Sequence, residues 1–379
     1  MSSKREFLCT FVAIIILFHM RIVHLVRNKV WGGGERYVAD LCRESVARGH
    51  DVSVATRGIP DVVNNFNIPG LNLQKLPLGG PLDFISPWKL SRLIKSFPEN
   101  DVILHVHNFK DAEIAVKVKR RLRKVKNVAV VCTRHLVKPS GTSLRWRRLF
   151  SDIDKIIFVS ELAKNEFLKT GPDISPSKIE MVHNSILPPD APEPHKGGDI
   201  INLLFTGRIT PEKGVDTLID ALAQLRSLPL RLSIAGTGSG EYVGALKRRA
   251  GEQGVADRII WKGFVDDIYR EIAEADICAA PSKWREPFGL TIIEFMSQGK
   301  PVVTTDNGAQ KEIITDGSDG LLCKPDNPAS LAEAIRKLSL SPELREETGR
   351  NALATFKTRF SYQVFFEKIT VIYQKALRC

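Results

Sequence analysis

Arg21-Ile-Val-His-Leu-Val26, then Gly34-Glu-Arg-Tyr-Val-Ala-Asp-Leu-Cys-Arg-Glu-Ser-Val-Ala-Arg-Gly49, then Asp51-Val-Ser-Val-Ala-Thr56 decide the fold class of this chain. The first run reads as a buried strand. In the second, Tyr37, Val38, Leu41 and Val46 follow helical spacing, and Gly49 stands where a helix C-cap glycine belongs. The third is again a strand. Strand, helix and strand in this order make a βαβ unit, and such units build parallel sheets.

The alternation continues on both sides of a Pro/Gly-rich stretch. Further strand candidates in the first half are Val102–His107, Val128–Thr133 and Lys155–Ser160. Leu187-Pro-Pro-Asp-Ala-Pro-Glu-Pro-His-Lys-Gly-Gly-Asp199 reads as an interdomain linker. Beyond it, strands are expected at Asn202–Thr206, Arg231–Ala235, Ile259–Lys262, Ile277–Ala280 and Pro301–Thr304. Ser361 to Leu377 reads as an amphipathic helix. The expected fold class is α/β, with two Rossmann-like, doubly wound parallel-sheet domains facing a central cleft, where such sheets bind ligands. The expected divisions are a 1–19 hydrophobic extension, a 20–188 domain, a 189–199 linker, a 200–358 domain and a 359–379 helix.

With 379 residues the chain is long enough for two ordinary domains, each with its own core. Hydrophobic residues at 43% and charged residues at 26% exclude a disordered chain. The net charge of +12 suggests an anionic partner. The 6 cysteines form no C-x-x-C pair and read as reduced, mostly buried thiols of a cytoplasmic protein. Lys4 and Arg5 precede an apolar run of 12 residues, Phe7 to Phe18. A membrane span takes about 20 residues, so residues 1–19 are read as an extension upstream of the domain.

Glu286-Pro-Phe-Gly-Leu-Thr-Ile-Ile-Glu294 carries the most chemistry. A loop carboxylate precedes a helix start that has its own carboxylate one turn in. Free helix amides beside carboxylates can grip a polyhydroxylated ligand and face an anion. Phe205-Thr-Gly-Arg-Ile-Thr-Pro-Glu-Lys-Gly214 follows a buried strand. Its Arg208 and Lys213 are two cations from one loop, which suits a diphosphate; a solvated loop with incidental charges is the other reading. Gly236-Thr-Gly-Ser-Gly240 has its third glycine one position early for a dinucleotide fingerprint, and a tight strand–helix turn is expected instead. Asp152-Ile-Asp154 is read as a strand-start cap in preference to a metal site.

Among the histidines, His50 is expected to cap a helix end, and His24 and His105 to be strand residues satisfied locally. His107 and His135 end strands and are the ones placed to reach the cleft, with His135 preferred. Lys117-Val-Lys-Arg-Arg-Leu-Arg-Lys-Val-Lys126 holds seven cations. With Arg145-Trp-Arg-Arg148 it is either a solvated face or a contact with an anionic membrane, with Trp146 at the interface.

Taken in order, the motifs resemble the large family 4 of GT-B-fold glycosyltransferases. They are Gly32-Gly33 with Glu35-Arg36, Gly49-His50, His105-Val-His107-Asn108, His135, Phe158-Val-Ser160-Glu161, Asn184, Gly207-Arg208 with Lys213-Gly214, Gly236-Thr-Gly238, the Glu286/Glu294 pair and Gly299-Lys-Pro-Val-Val303. The resemblance runs from about Met20 to the C-terminal helix, which it implies crosses back to the N-terminal domain. It implies a retaining, metal-independent enzyme that moves a sugar from a nucleotide-diphosphate donor to a glycan or lipid-linked acceptor in cell-surface polysaccharide or lipopolysaccharide synthesis, at the inner face of the cytoplasmic membrane. It implies no cofactor. Arg208 and Lys213 would hold the diphosphate, Glu286 the donor-sugar hydroxyls and Glu294 the ribose. Gly207 would turn the loop, and amides near Phe288, Gly289, Leu290 and Thr291 would face the phosphates or sugar. Gly33 would approach the diphosphate or acceptor, and His135 would lie near the reacting centre. The rival readings are a nucleotide-sugar-binding protein without transfer activity and a basic nucleic-acid binder; the latter lacks interleaved aromatics and any recognisable module.

Overall fold

The computed structural model describes residues 19–29, 31–80, 82–190 and 198–379. The expected hydrophobic extension, except His19, and most of the expected linker lie outside the described residues. The chain divides into two compact units. The first takes residues up to Val159, Ala163–His183 and Phe365–Cys379; the second takes Ser160–Leu162 and Asn184–Val364.

The first unit holds a parallel sheet in the order β3-β2-β1-β4-β5-β6-β7. Its strands are β1 Arg21–Val26, β2 Asp51–Thr56, β3 Asn72–Lys75, β4 Asp101–Val106, β5 Asn127–Arg134, β6 Lys155–Phe158 and β7 Ile179–Met181. The longer helices are α1 Gly33–Ala47, α2 Ile85–Lys95, α3 Phe109–Leu122 and α4 Leu144–Asp152. From their second residue, β1, β2 and β4 are buried at every position, as expected where helices cover both faces of a sheet. α1 ends as its sequence dictates: Gly49 takes φ +80°, and the amides of Gly49 and His50 close onto Val46 and Ser45. His50 therefore closes the helix with its backbone, while its ring stacks on Phe366.

The second unit repeats the design with the order β10-β9-β8-β11-β12-β13. Its strands are β8 Ile201–Thr206, β9 Leu230–Ala235, β10 Ile259–Gly263, β11 Ile277–Ala280, β12 Val302–Thr305 and β13 Leu321–Cys323. The helices that matter below are α5 Val215–Ala223, α6 Gly240–Glu252 and α7 Leu290–Ser297. The core joins β8 and β9 to α5 through Leu203, Phe205, Leu218, Leu222, Leu232 and Ile234. In both sheets the order reverses beside the first strand of the unit. Ligand crevices of doubly wound folds open at the strand carboxyl ends there. In the second unit those ends carry Gly207-Arg208 after β8 and Pro281-Ser282 after β11.

α8, Tyr362–Leu377, ends the chain, and its residues from Phe365 belong to the first unit. There it completes a buried polar cluster. His24 and His105 are register partners on β1 and β4. His24 Nδ1 lies 3.3 Å from His107 Nε2. His105 is held between the Tyr373 hydroxyl and Thr133 Oγ1, each at 2.7 Å. The expectation of local partners for His105 thus fails, because Tyr373 comes from α8. Tyr37 packs edge-on against His135 and Phe365.

Burial disfavours the charged imidazole. It lowers the pKa of His24 to about 3 and that of His135 to about 4, and holds those of His105 and His107 well below the usual range. An unfolded imidazole takes up its proton near pH 6.5, so the stability of the neutral cluster is full above that pH and is lost as pH falls toward 4. The expected loss is about 1.4 kcal/mol per pH unit for each imidazole. Asp111, pushed up to about 6 by burial, works in the opposite sense and offsets part of it. Melting temperature followed from pH 7 to pH 5 should fall in the parent and fall less steeply in His135→Gln. Equal slopes would show that His135 does not take up a proton on unfolding in this range.

Candidate functional site

Backbone packed against backbone places the loops of the second unit. Gly207 follows β8 with φ +132°, and Gly236 follows β9 with φ +154°. A Cβ on Gly236 would lie 1.8 Å from the Gly207 carbonyl oxygen, and one on Gly238 would lie 2.2 Å from that of Ile209. The two loops therefore stack only as bare main chain, sealed by Ile209 N–H donating to Thr237 O at 2.7 Å. Gly236-Thr-Gly-Ser-Gly240 is accordingly a tight strand–helix turn, with Ser239 capping α6. One turn on, Gly214 takes φ +72° at the start of α5, where a Cβ would meet the Pro281 carbonyl oxygen at 2.0 Å. That approach sets the loop of Lys213 against the loop that follows β11.

The consequence is an ion pair between residues far apart in sequence. Lys213 Nζ donates to Glu286 Oε1 at 2.5 Å, and Ser282 Oγ donates to the same oxygen at 2.7 Å. Glu286 is buried. Its carbonyl accepts from Ala309 N–H at 3.0 Å, and Gly308 leaves room for its main chain, since a Cβ there would lie 2.5 Å from Glu286 N. Asn307 donates to Lys283 O, and Thr305 donates to Ser282 O, so the end of β12 braces the same loop. Lys283 is anchored by Asp216 at 2.7 Å and Asp326 at 2.6 Å.

Three residues after Glu286 the chain enters α7. Its N-cap is Gly289 at φ +119°, with no side-chain cap. The amides of Leu290 and Thr291 thus lie in a first turn that offers positive charge to an anion. Phe288 is buried with its ring 6.0 Å from Phe360. Glu294 is buried within α7. Arg208 is exposed beyond the end of β8. Arg208, Lys213, Glu286, Glu294 and the Phe288–Thr291 turn therefore all belong to one unit, and of these Lys213 and Glu286 are in direct contact. Gly33 and His135 belong to the first unit. Gly33 opens α1, beside the buried Glu35. Ser282, Asn307 and Gly308 complete the site and were not singled out from the sequence; Asn-Gly is a turn signal, but nothing local shows which loop it supports.

Two expectations need adjusting. Asp154 is a brace more than a cap: its carboxylate accepts from Val130 N–H at 2.7 Å and from Lys119 Nζ at 2.6 and 2.7 Å, while Asp152 pairs with Arg120. Trp146 is drawn inward, with its ring 5.1 Å from Phe109 and 5.4 Å from Phe150. Among the described residues, His24, His105 and His107 bring ring nitrogens within 4.8 Å of one another, but both nitrogens of His105 already have hydroxyl partners. No helix among the described residues is long and apolar enough to cross a membrane.

Residues 31–187 match the family model for Glycosyltransferase Family 4, and residues 191–355 match that for Glycosyl transferases group 1. The chain is 28% identical to phosphatidyl-myo-inositol mannosyltransferase of Mycobacterium leprae over 90% of this chain and 93% of that protein. Several other curated relatives align with it over about half of their own length, and others over most of it. A glycosyltransferase structure from Rickettsia africae superposes with TM-score 0.83 at 20% identity, covering 95% of this chain and 99% of that one. The Anabaena HepE structure in complex with UDP-glucose does so with TM-score 0.75 at 22% identity, covering 95% and 99%. These two likenesses establish the GT-B fold.

The glycine contacts yield a stability test. Gly236→Ala and Gly214→Ala place a Cβ on a carbonyl oxygen at positive φ, and each should cost about 2 kcal/mol or more. Gly251→Ala lies within α6 with open space around it and should be neutral or stabilising by up to about 1 kcal/mol. Urea denaturation measures all three, and a neutral Gly236→Ala would contradict the stacked-loop geometry.

Proposed function

The chain belongs to the family 4, group 1 glycosyltransferases, and on that premise we propose that it takes its sugar from a nucleotide-diphosphate donor bound by the second unit, with retention of configuration and without a metal ion. The observation that carries the reading is the Lys213–Glu286 pair held beside the start of α7. Breaking the sugar–phosphate bond leaves negative charge on the diphosphate and positive charge on the sugar ring. Arg208 and Lys213 answer the first, together with the amides of Leu290 and Thr291. Such preorganised charge acts most where it develops in the transition state. Their cationic charge takes the place that a divalent ion fills in other transferases. Glu286, oriented by Ser282, accepts from donor-sugar hydroxyls, and Glu294 accepts from ribose hydroxyls. Both carboxylates bind and orient; neither is placed as a general acid or base.

His135 is neutral at pH 7 because burial holds its pKa at about 4, so its role is that of a hydrogen-bonding group near the reacting sugar. Gly33 supplies main chain that accommodates the diphosphate or acceptor. The acceptor is a glycan or lipid-linked glycan; a lipid, phosphatidyl-myo-inositol, stands in the name of the Mycobacterium leprae relative. The place in metabolism is surface-polysaccharide or lipopolysaccharide synthesis at the cytoplasmic face of the membrane. UDP is the first nucleotide to test, since HepE was solved with UDP-glucose.

Thermal shift across UDP-, GDP- and ADP-sugars identifies the donor. The stabilising donor should lose its effect in Arg208→Ala and Glu294→Ala, and parent-like responses would place the donor elsewhere. EDTA should leave sugar transfer unchanged, and NMR of the product should show the donor's anomeric configuration. A donor that binds but is neither transferred nor slowly hydrolysed would favour the binding-protein reading. His135→Ala should lower kcat by about 10²-fold or more while changing donor affinity little.

A further inference from the structure

The connection between β3 and α2, together with the first turn of α2, exposes four large apolar side chains. Leu82, Phe84, Ile85 and Trp88 are 85%, 73%, 55% and 51% exposed. The segment is built to hold them there. Leu78 is buried at φ +45°, a conformation that a leucine adopts only under constraint. Its carbonyl accepts from Arg27 at 3.1 Å and Arg57 at 2.9 Å, and its amide donates to Ser86 Oγ at 3.0 Å. The Asp83 carboxylate accepts from the amides of Gly79 and Ser86, each at 2.8 Å, and from Ser86 Oγ at 2.5 Å. Two arginines and a buried carboxylate thus fasten the base of a knuckle whose tip is hydrophobic.

The exposed charge of the segment has one sign. From Leu71 to Phe97 the ionisable residues are Lys75, Lys89, Arg92, Lys95 and Asp83, and Asp83 is the buried, fully bonded one. Lys117 lies over the Phe84 ring at 5.2 Å, and Arg92 lies 6.0 Å from the Trp88 ring. A groove lined by Lys75, Leu76, Trp88, Lys89 and Arg92 runs beside them. Apolar and aromatic side chains ringed by cations match the boundary between acyl chains and anionic headgroups, where Trp and Phe insert and Lys and Arg meet phosphates.

We infer that Leu82, Phe84, Ile85 and Trp88 form a membrane-inserting knuckle, with Lys89 and Arg92 engaging the headgroup phosphates of an anionic lipid surface. The contact lies on the β3–α2 knuckle and not on the basic run of α3, whose Lys119 and Arg120 are committed to Asp154 and Asp152. It does not depend on the donor site proposed above.

Co-sedimentation with phosphatidylcholine vesicles, with and without phosphatidylglycerol, tests it. The parent should bind the anionic vesicles. Phe84→Ser/Trp88→Ser should weaken that binding by about tenfold or more, and Lys89→Glu/Arg92→Glu should abolish the preference for anionic lipid. All variants should melt as the parent does and keep the donor-induced thermal shift. Leu82→Ser, on the most exposed side chain, supplies the same comparison should the double variant fail to fold. A parent that ignores anionic vesicles overturns the inference. So does binding that survives the knuckle variants but is lost in Arg121→Glu/Lys124→Glu, which assigns the contact to α3. Self-association of the parent that Phe84→Ser/Trp88→Ser removes assigns the knuckle to a second copy and also overturns it.

Discussion

The second unit depends on main chain lying directly on main chain where its strands end. Gly207 and Gly236 approach so closely that any side chain on Gly236 would overlap a carbonyl oxygen, and Gly214 meets Pro281 in the same way. Because those loops have no side chains between them, their positions follow from the sheet almost without slack. Lys213 leaves one loop and Glu286 the other, so their ion pair inherits that precision. Under the proposed function such charges must already be in place when charge develops, and the glycines fix this pair independently of any ligand.

The first unit solves a different problem. Its central strands carry histidines into a core where a charged imidazole would be strongly disfavoured. His105 is accommodated because Tyr373 and Thr133 satisfy both of its nitrogens. One of those partners is supplied by the last helix of the chain, so the polar core of this unit is complete only when its most distant segment is in place. Buried hydrogen-bonded groups specify an arrangement more sharply than apolar ones, because a misplaced partner leaves a donor or acceptor stranded.

Much of this was legible in the sequence. The βαβ periodicity and the Gly49 C-cap gave the parallel sheets, because strands buried on both faces read as continuous apolar runs. The strands that escaped notice are β3, β7 and β13. β3 and β7 have no fully buried residue, and β13 is only three residues long, so no run formed. The candidate site residues Arg208, Lys213, Glu286 and Glu294 could be picked out by residue type and placement beside strand ends. Their contacts could not: the bond between Lys213 and Glu286 spans 73 positions, and the roles of Ser282 and Gly308 follow from loop stacking that no local pattern encodes. Trp146 illustrates the converse, since its basic neighbours suggested an exposed ring and the aromatic cluster of Phe109 and Phe150 captured it.

The same distinction separates the two groups of surface cations. A count of charges favours α3, with its run of lysines and arginines. Geometry reverses the order, because α3 spends part of its charge on Asp152 and Asp154, while the β3–α2 segment spends none of its exposed charge on an acid of its own. Its only carboxylate, Asp83, is turned inward to fasten the turn. Stability alone would favour burying Phe84 and Trp88, or replacing them with polar residues. A connection that fixes its base with three buried or half-buried ionic side chains and still leaves its aromatic tip in water has a shape that folding by itself does not require, and an apolar, anion-bearing surface is the environment in which that shape is favourable.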